Sequence, residues 1–295
     1  MALKKVGILG CGAMGSGIVQ VVLQGGYEVV VREMDQEALA RGISHVNASL
    51  EKLVKKERLT QEQKAGLIKH LKGTVELEDL ADCDLIIEAV FEDLETKNAL
   101  FKVLDGCCRA DTIFATNTSS LSVTRMAAET NRKERFAGLH FFYPAPVMPL
   151  VEIIKTISLA PEVLEELQAF AKNLKKFPIV AKDNAGFIVN LLLTPFLLDA
   201  IRAVGNSVAG VTDIDAGIKL GLGHPVGPLM LADMIGLNLI GKAADTMFEE
   251  YKDLRYAPPP LLRKMVIMGY HGMKTGKGFY DWSDPKNPVP VQLDF

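Results

Sequence analysis

Cysteine is scarce in this chain, with 4 among 295 residues, and there is a single tryptophan. Cys11, Cys83, Cys107 and Cys108 are spaced neither as a compact disulfide framework nor as a common zinc site. Reduced, packing cysteines follow, and no metal is expected. A one-sided charge is missing as well: 33 basic against 36 acidic side chains leave a formal charge of −3 and no electrostatic reason to expect a nucleic-acid partner. Long apolar runs are absent too, since residues 187–198 are too short and too interrupted to read as a membrane span. The chain starts with a short basic stretch that leads straight into a glycine-rich pattern, and removing it as a signal peptide would destroy that pattern. A soluble, cytoplasmic protein with no nucleic-acid or membrane partner is the expectation.

What is present is an apolar content of 48% over a length that divides most readily into two domains. Residues 6–9 read as a buried strand and 13–24 as the helix after it, closed by Gly25-Gly26. Residues 28–31 form a second strand. Residues 36–56 follow a helical pattern, with Leu39, Ile43, Val46, Leu50 and Leu53 on one face, and Thr60 with Gln63 marks the start of another helix. Strands over 84–89, 112–115 and 135–139 alternate with a helix near 94–104, which favours a parallel sheet with helices on both faces. Residues 150–154 and 177–180 extend that sheet at its far edge, in an orientation left open. After Asp183-Asn184-Ala185-Gly186 the period turns helical, with helices over 188–203, where Pro195 predicts a kink, and 236–248. The expected fold is therefore α/β: a Rossmann-like domain over 1–184 followed by an all-helical domain over 185–295.

Gly10-Cys11-Gly12-Ala13-Met14-Gly15 is a GxGxxG pattern between predicted strand and helix. Gly10 permits the tight turn, Gly12 lets the backbone approach a pyrophosphate, and Gly15 allows close helix packing. Amides at the helix start, at Ala13 and Met14, then meet the negative charge. The six residues alone are a weak signal; the acid Glu33, 18 residues after Gly15 at the end of the second strand, makes them specific. Its carboxylate suits the ribose hydroxyls of NAD and repels the extra phosphate of NADP, while neighbouring Arg32 reads as solvent-facing. Glu88 is an unexpected acid inside an apolar strand. Glu92, at the ligand edge of that strand, is a candidate for the nicotinamide ribose, and Lys97 for orienting the cofactor from the next helix. The plainer alternative is a helix-start acid and an exposed lysine.

His140 ends one apolar run, and Glu152 stands 12 residues on in the next. A histidine beside a carboxylate is the arrangement that moves a proton near neutral pH, with the acid fixing one ring nitrogen and leaving the other for substrate. The alternative is a histidine satisfying a buried hydrogen bond and an edge-strand acid. Asn117-Thr118-Ser119-Ser120 follows an apolar strand and emerges where open α/β sheets bind ligands. Asn117 is counted with the cofactor and Ser119 with the reacting oxygen, whereas Ser120 and Ser122 are candidate helix caps. Asn190 offers both amide donor and acceptor on the first helix of the second domain, with a structural hydrogen bond as its alternative.

In order along the chain, the glycine loop, residues 117–121, 138–152, 186–190, 213–227 and 276–280 resemble the L-3-hydroxyacyl-CoA dehydrogenase family, particularly its short-chain bacterial members. That resemblance implies NAD(H), an acyl-CoA thioester substrate such as 3-hydroxybutyryl-CoA, and a homodimer formed mainly through the helical domain. It implies that His140 is the catalytic acid or base, Glu152 its orienting partner, and Ser119 and Asn190 substrate-positioning residues. Two positions depart from the family pattern: Tyr143 stands where an asparagine is usual, and Leu191 where an arginine is. In the cluster Lys52, Lys55, Lys56 and Arg58, the residues by themselves read as the wet face of a helix, and the resemblance makes Lys56 the nearest candidate for a CoA phosphate. Residues 276–280 read as a C-terminal turn and packing anchor.

Two other readings compete. A dehydrogenase of a non-CoA 3-hydroxy acid that relied on a catalytic lysine in the interdomain helix is disfavoured, because residues 187–201 contain no lysine. A noncatalytic NAD-binding structural or regulatory protein would keep the glycine loop without needing His140, Glu152, Ser119 and Asn190 together.

Overall fold

A computed structural model describes residues 3–292, and the chain divides into two compact units, Met1–Phe187 and Ile188–Phe295. The first unit runs β1 (Lys5–Leu9), α1 (Ala13–Gln24), β2 (Glu28–Arg32), α2 (Gln36–Lys55), α3 (Gln61–Lys69), β3 (Leu71–Thr74), β4 (Leu85–Glu88), α4 (Leu94–Cys107), β5 (Ile113–Thr116), α5 (Val123–Ala128), β6 (Phe136–Phe141), β7 (Leu150–Lys155), α6 (Pro161–Asn173) and β8 (Phe177–Lys182). Its eight strands form one sheet in the order β3-β2-β1-β4-β5-β6-β7-β8. All neighbours are parallel except β6 and β7. Central strands such as β4 and β5 are buried throughout, which is why they read as apolar runs, interrupted only by Glu88 and Thr116 at their ends, rather than as alternation.

Local chemistry sets the helix starts. The Asp35 carboxylate accepts from Ala38 N to open α2, Thr60 and Gln63 form a reciprocal capping box on α3, and Asp93 accepts from Thr96 N at α4. Ser122 caps α5, and Asp183 adds a second acceptor there for Val123 N and Thr124 N. The observed elements extend the sequence expectations in three places. β3 is a four-residue edge strand whose Lys72 and Gly73 are exposed, so no alternation announced it. α6 buries Val163, Leu167 and Phe170, a helical spacing the sequence reading passed over. β6 continues to Phe141, so His140 lies within the strand rather than beyond it.

Apolar layers pack on both sheet faces, one with α1, α2 and α6 and the other with α4 and α5. In the second layer Phe101 packs on Phe114 and Phe136 at centroid distances of 5.5 and 4.6 Å, and the Arg132 guanidinium lies 4.2 Å over Phe114. Arg132 Nε meets Asp105 Oδ1 at 2.6 Å, and both side chains are 6% exposed. Burial works against the Asp105 carboxylate, but hydrogen bonds from Arg132 and Asn131 hold it below its ordinary value of 3.8. A depressed carboxyl contributes stability that is present above the unfolded value and lost as pH falls through the folded one. Asp105→Asn is therefore expected to cost about 3 kcal/mol at neutral pH, and to flatten the loss of stability seen in acid melts below about pH 4. Denaturant titrations of both proteins across that range check it, and parallel acid limbs would count against this pair.

The second unit comprises α7 (Val189–Gly205), α8 (Val211–Leu222), α9 (Pro228–Ile235), α10 (Leu237–Tyr251), α11 (Pro260–Ile267) and a short hairpin of β9 (Tyr280–Asp281) with β10 (Val289–Pro290). Leu197, Leu198, Ile201, Leu229, Leu237, Leu262 and Phe279 form its core. The assigned helix α7 runs on past Pro195, and the hairpin is an addition to the all-helical expectation. Two buried acids tie the tail to the helices. Asp215 accepts from Leu229 N and Met230 N at the start of α9 and from the Tyr280 hydroxyl, at 2.7, 2.9 and 2.8 Å. Asp233 accepts from Phe279 N, Tyr280 N and Trp282 Nε1 at 3.0, 2.8 and 2.9 Å. Residues 276–280 are thus a turn and anchor, as their sequence suggests.

Candidate active site

The glycine loop sits at the C-terminal end of β1. A Cβ on Gly15 would lie 1.9 Å from Gly10 O, so the close approach of strand and helix admits no side chain there. Gly12 differs, since a Cβ on it would meet no protein atom within 4 Å. Packing does not require that glycine; it leaves backbone open to a ligand, as a pyrophosphate cradle needs. α1 has no side-chain cap and no acid in its first turn, so the helix start at Gly12, Ala13 and Met14 suits an anion. Glu33 accepts from Cys11 N at 2.5 Å and from Met34 N at 3.1 Å, which fixes its carboxylate beside the loop. Arg32 is half-buried and donates from Nε to Val75 O at 3.0 Å, so the solvent-facing reading of that residue is corrected. The Cys11 thiol, burial first and Glu33 second, is pushed up to about 12, consistent with an inert packing cysteine. All four cysteines are free.

The odd acid in β4 is the hub of a polar network. Glu88 is fully buried; its Oε1 accepts from Lys97 Nζ and Val90 N, both at 2.7 Å, and its Oε2 from Thr116 Oγ1 at 2.6 Å. Lys97 is 1% exposed and also meets Glu92 Oε2 at 3.1 Å, so the alternative of a solvent-facing lysine is overturned. Glu92 Oε1 in turn accepts from the Thr118 hydroxyl and from Ser119 N. Asn117 Oδ1 accepts from Phe141 N at 2.8 Å, which ties the loop after β5 to the residue following His140. Glu92, Lys97, Asn117, Ser119 and the His140 strand are in this way joined at the C-terminal ends of the parallel strands β4, β5 and β6.

His140 and Glu152 are register partners across the antiparallel β6/β7 pair, and directly opposed residues share a face. His140 Nδ1 lies 2.7 Å from Glu152 Oε2, with side-chain exposures of 7% and 0%. Phe142 and Phe187 flank the imidazole at centroid distances of 4.5 and 5.7 Å. The loop joining the two strands is held by Lys176, whose buried ammonium donates to Ala145 O and Met148 O at 2.6 and 2.8 Å. Tyr143, in that loop, is 68% exposed. Asn190 is half-buried in the first turn of α7, in the second unit. Lys52, Lys55, Lys56 and Arg58 are all exposed at the end of α2, the wet face that their sequence suggests.

Sequence reasoning flagged Glu88 without giving it a partner and placed Thr118 at the ligand end of the sheet without a role, and it missed Thr116 and Lys176. An acid inside an apolar strand was the available signal for the network. Nothing local distinguishes Lys176 from a surface lysine.

A Rossmann-like sheet with an open glycine cradle, and on its far strands a buried histidine bound to a carboxylate, defines a dinucleotide-dependent dehydrogenase. Residues 5–184 match the family model "3-hydroxyacyl-CoA dehydrogenase, NAD binding domain", and residues 186–282 match "3-hydroxyacyl-CoA dehydrogenase, C-terminal domain". The chain belongs to the 3-hydroxyacyl-CoA dehydrogenase family of NAD-dependent oxidoreductases. It is 41% identical over 283 residues to a 3-hydroxybutyryl-CoA dehydrogenase of Mycobacterium tuberculosis, covering 95% of this chain and 99% of that one. It is 42% identical over 288 residues to the human mitochondrial hydroxyacyl-coenzyme A dehydrogenase, covering 95% of this chain and 91% of the relative. The crystal structure of (S)-3-hydroxybutyryl-CoA dehydrogenase from Ralstonia eutropha superposes with a TM-score of 0.93 at 41% identity, covering 96% of this chain and all of the other. Among the described residues no helix is long and apolar enough to cross a membrane, and no cluster of acids, histidines or cysteines could hold a metal.

Proposed function

We propose that the protein interconverts L-3-hydroxyacyl-CoA and 3-oxoacyl-CoA, with 3-hydroxybutyryl-CoA as the preferred thioester. The observation that carries this reading is the 2.7 Å contact between His140 Nδ1 and Glu152 Oε2. Glu152 accepts from the Nδ1 hydrogen, so the neutral ring presents a lone pair at Nε2. NAD supplies the hydride acceptor for C3 of the substrate. Nε2 of His140 takes the proton of the 3-hydroxyl in oxidation and returns it to the 3-oxo oxygen in reduction. Glu152 stabilises the imidazolium formed on the way and keeps the ring in one orientation. Ser119 and Asn190 hold the oxygen-bearing groups of the substrate, and Lys56 pairs with a CoA phosphate.

Gly10, Gly12, Ala13, Met14 and Gly15 hold the pyrophosphate, Glu33 the adenine-side ribose, and Glu92, Lys97 and Asn117 the nicotinamide side. The functional division assigned is 1–184 for the cofactor and 185–295 for substrate and homodimer contacts, in a cytoplasmic enzyme. The 3-hydroxybutyryl-CoA specificity draws on the activity for which the relatives are named.

The test is a bidirectional assay with NAD(H) and NADP(H) across 3-hydroxyacyl-CoA thioesters of rising chain length and the matching free acids. Turnover is expected to be highest with the four-carbon thioester and NAD. Glu33→Gln should narrow the NAD preference by roughly tenfold, through loss of charge repulsion toward the additional phosphate. Preference for a free acid would remove the thioester assignment, and robust wild-type use of NADP would remove the role given to Glu33.

A further inference from the structure

The β6–β7 loop, residues 142–149, is held from two sides, and both holds bear on His140. On one side stands Lys176, only 9% exposed although its side chain ends in an ammonium. Its Nζ donates to Ala145 O and Met148 O at 2.6 and 2.8 Å, and the amide of the next residue, Phe177, donates to Pro149 O at 2.7 Å. No carboxylate among the described residues pairs with that ammonium, and burial pushes it below its ordinary value of 10.5. Burying a cation opposite neutral carbonyls is costly; two short, charge-assisted hydrogen bonds offset that cost and fix the loop. On the other side stands α1, the helix that opens at the glycine loop. Ala145 is 2% exposed and shares an apolar layer with Ile18 and Val21 of that helix. A Cβ on Gly17, two residues after Gly15, would lie 3.1 Å from Pro146 Cδ and 3.2 Å from Ala145 Cβ. The loop therefore rests on bare helix backbone, closer than a side chain at that position would allow.

Both ends of the loop lead to the proton-transfer pair. Phe142, its first residue, places its ring 4.5 Å from the imidazole of His140, and β7, which carries Glu152, begins at Leu150 directly after the gripped carbonyls. On the reading above, His140 exchanges the proton while the dinucleotide held at the start of α1 takes the hydride, so the two have to keep one spacing to a fraction of an ångström. We propose that Lys176 is a positioning residue for proton transfer: by seating the β6–β7 loop on α1 at Gly17, it keys the His140–Glu152 pair to the helix that holds the cofactor. It acts through the main chain of Ala145 and Met148 and not on the reacting atoms.

The experiment compares wild type, Lys176→Met and Gly17→Ala with 3-hydroxybutyryl-CoA as substrate. It measures kcat per NAD-binding site, the solvent isotope effect on kcat, the NAD⁺ Kd by calorimetry and the midpoint of chemical denaturation. Lys176→Met nearly keeps the length of the side chain but releases both carbonyls, and kcat is expected to fall about tenfold. Gly17→Ala leaves the ammonium in place and lifts the loop by a few tenths of an ångström; on a scale of roughly a hundredfold per ångström, a fall of about fourfold is expected. Alanine also favours a helix more than glycine does, so the denaturation midpoint of Gly17→Ala should not drop while its kcat does. In both variants the NAD⁺ Kd should match wild type, and the solvent isotope effect should rise as the misplaced proton transfer becomes limiting. Wild-type kcat per site and isotope effect in either variant would overturn the inference, and in Lys176→Met, together with a lowered midpoint, would leave the lysine a merely structural role. NAD⁺ binding weakened in step with kcat would overturn it as well. If Lys176→Met does not fold, Gly17→Ala decides alone. Normal turnover in His140→Ala would remove the proton-transfer reading itself, an outcome distinct from a silent Lys176→Met.

Discussion

His140→Ala is expected to lower kcat for NADH formation by roughly 10³-fold, the scale of a lost general acid or base. Affinity for NAD⁺ should stay close to wild type, because the glycine loop and Glu33 lie on β1 and β2, away from β6. The companion Glu152→Gln keeps the volume and one hydrogen bond but removes the carboxylate that stabilises the imidazolium; roughly 10²-fold is expected there. Stopped-flow NADH formation together with calorimetric NAD⁺ binding separates the two effects. Near-normal turnover in His140→Ala would reject His140 as the proton-transfer group. Loss of turnover with simultaneous loss of NAD⁺ binding would instead indicate a damaged sheet. The geometry favours the first pattern, since His140 and Glu152 occupy the centre of a hairpin whose flanking strand pairs do not depend on either side chain.

The second large effect concerns stability. Asp233 is 1% exposed and takes three N–H donors from the tail, at Phe279, Tyr280 and Trp282. Burial pushes its carboxyl up from the ordinary value, while those donors act in the opposite sense. Asp233→Ala would leave three buried donors unpaired and loosen an anchor that includes fully buried Phe279. A loss of about 4 kcal/mol is expected. Chemical denaturation monitored by the fluorescence of Trp282, the single tryptophan, reports directly on that region. An unchanged midpoint would show that the anchor is held by apolar packing alone. The raised Asp233 carboxyl adds a sign of its own: its contribution is most favourable at low pH and declines as pH rises through the folded value, opposite to that of Asp105.

Legibility in the sequence followed the range of the interactions. Strands buried on both faces announce themselves as apolar runs, and Thr60 with Gln63 wrote a helix start in four residues. The glycine loop and Glu33 were readable because their spacing encodes a single local βαβ unit. His140 and Glu152 could be paired only as a suspicion, since their contact depends on an antiparallel register that no local pattern specifies. The network of Glu88 was less legible still. It joins residues from β4, α4 and β5, and Thr116 or Thr118 looks in isolation like any strand-end threonine. Lys176 was invisible for the same reason: its partners are backbone carbonyls 28 and 31 residues away, and carbonyls leave no mark in a sequence.

The clamp formed by Lys176 also bears on how this site can diverge. The lysine grips the β6–β7 loop by main-chain oxygens, so the side chains of residues such as Tyr143 and Val147, 68% and 73% exposed, are free to change without releasing the grip. Length is another matter. A one-residue deletion that slipped the hairpin register would turn imidazole and carboxylate to opposite faces of the sheet. Evolution or a designer can therefore rewrite the lettering of this loop, but has to keep its count.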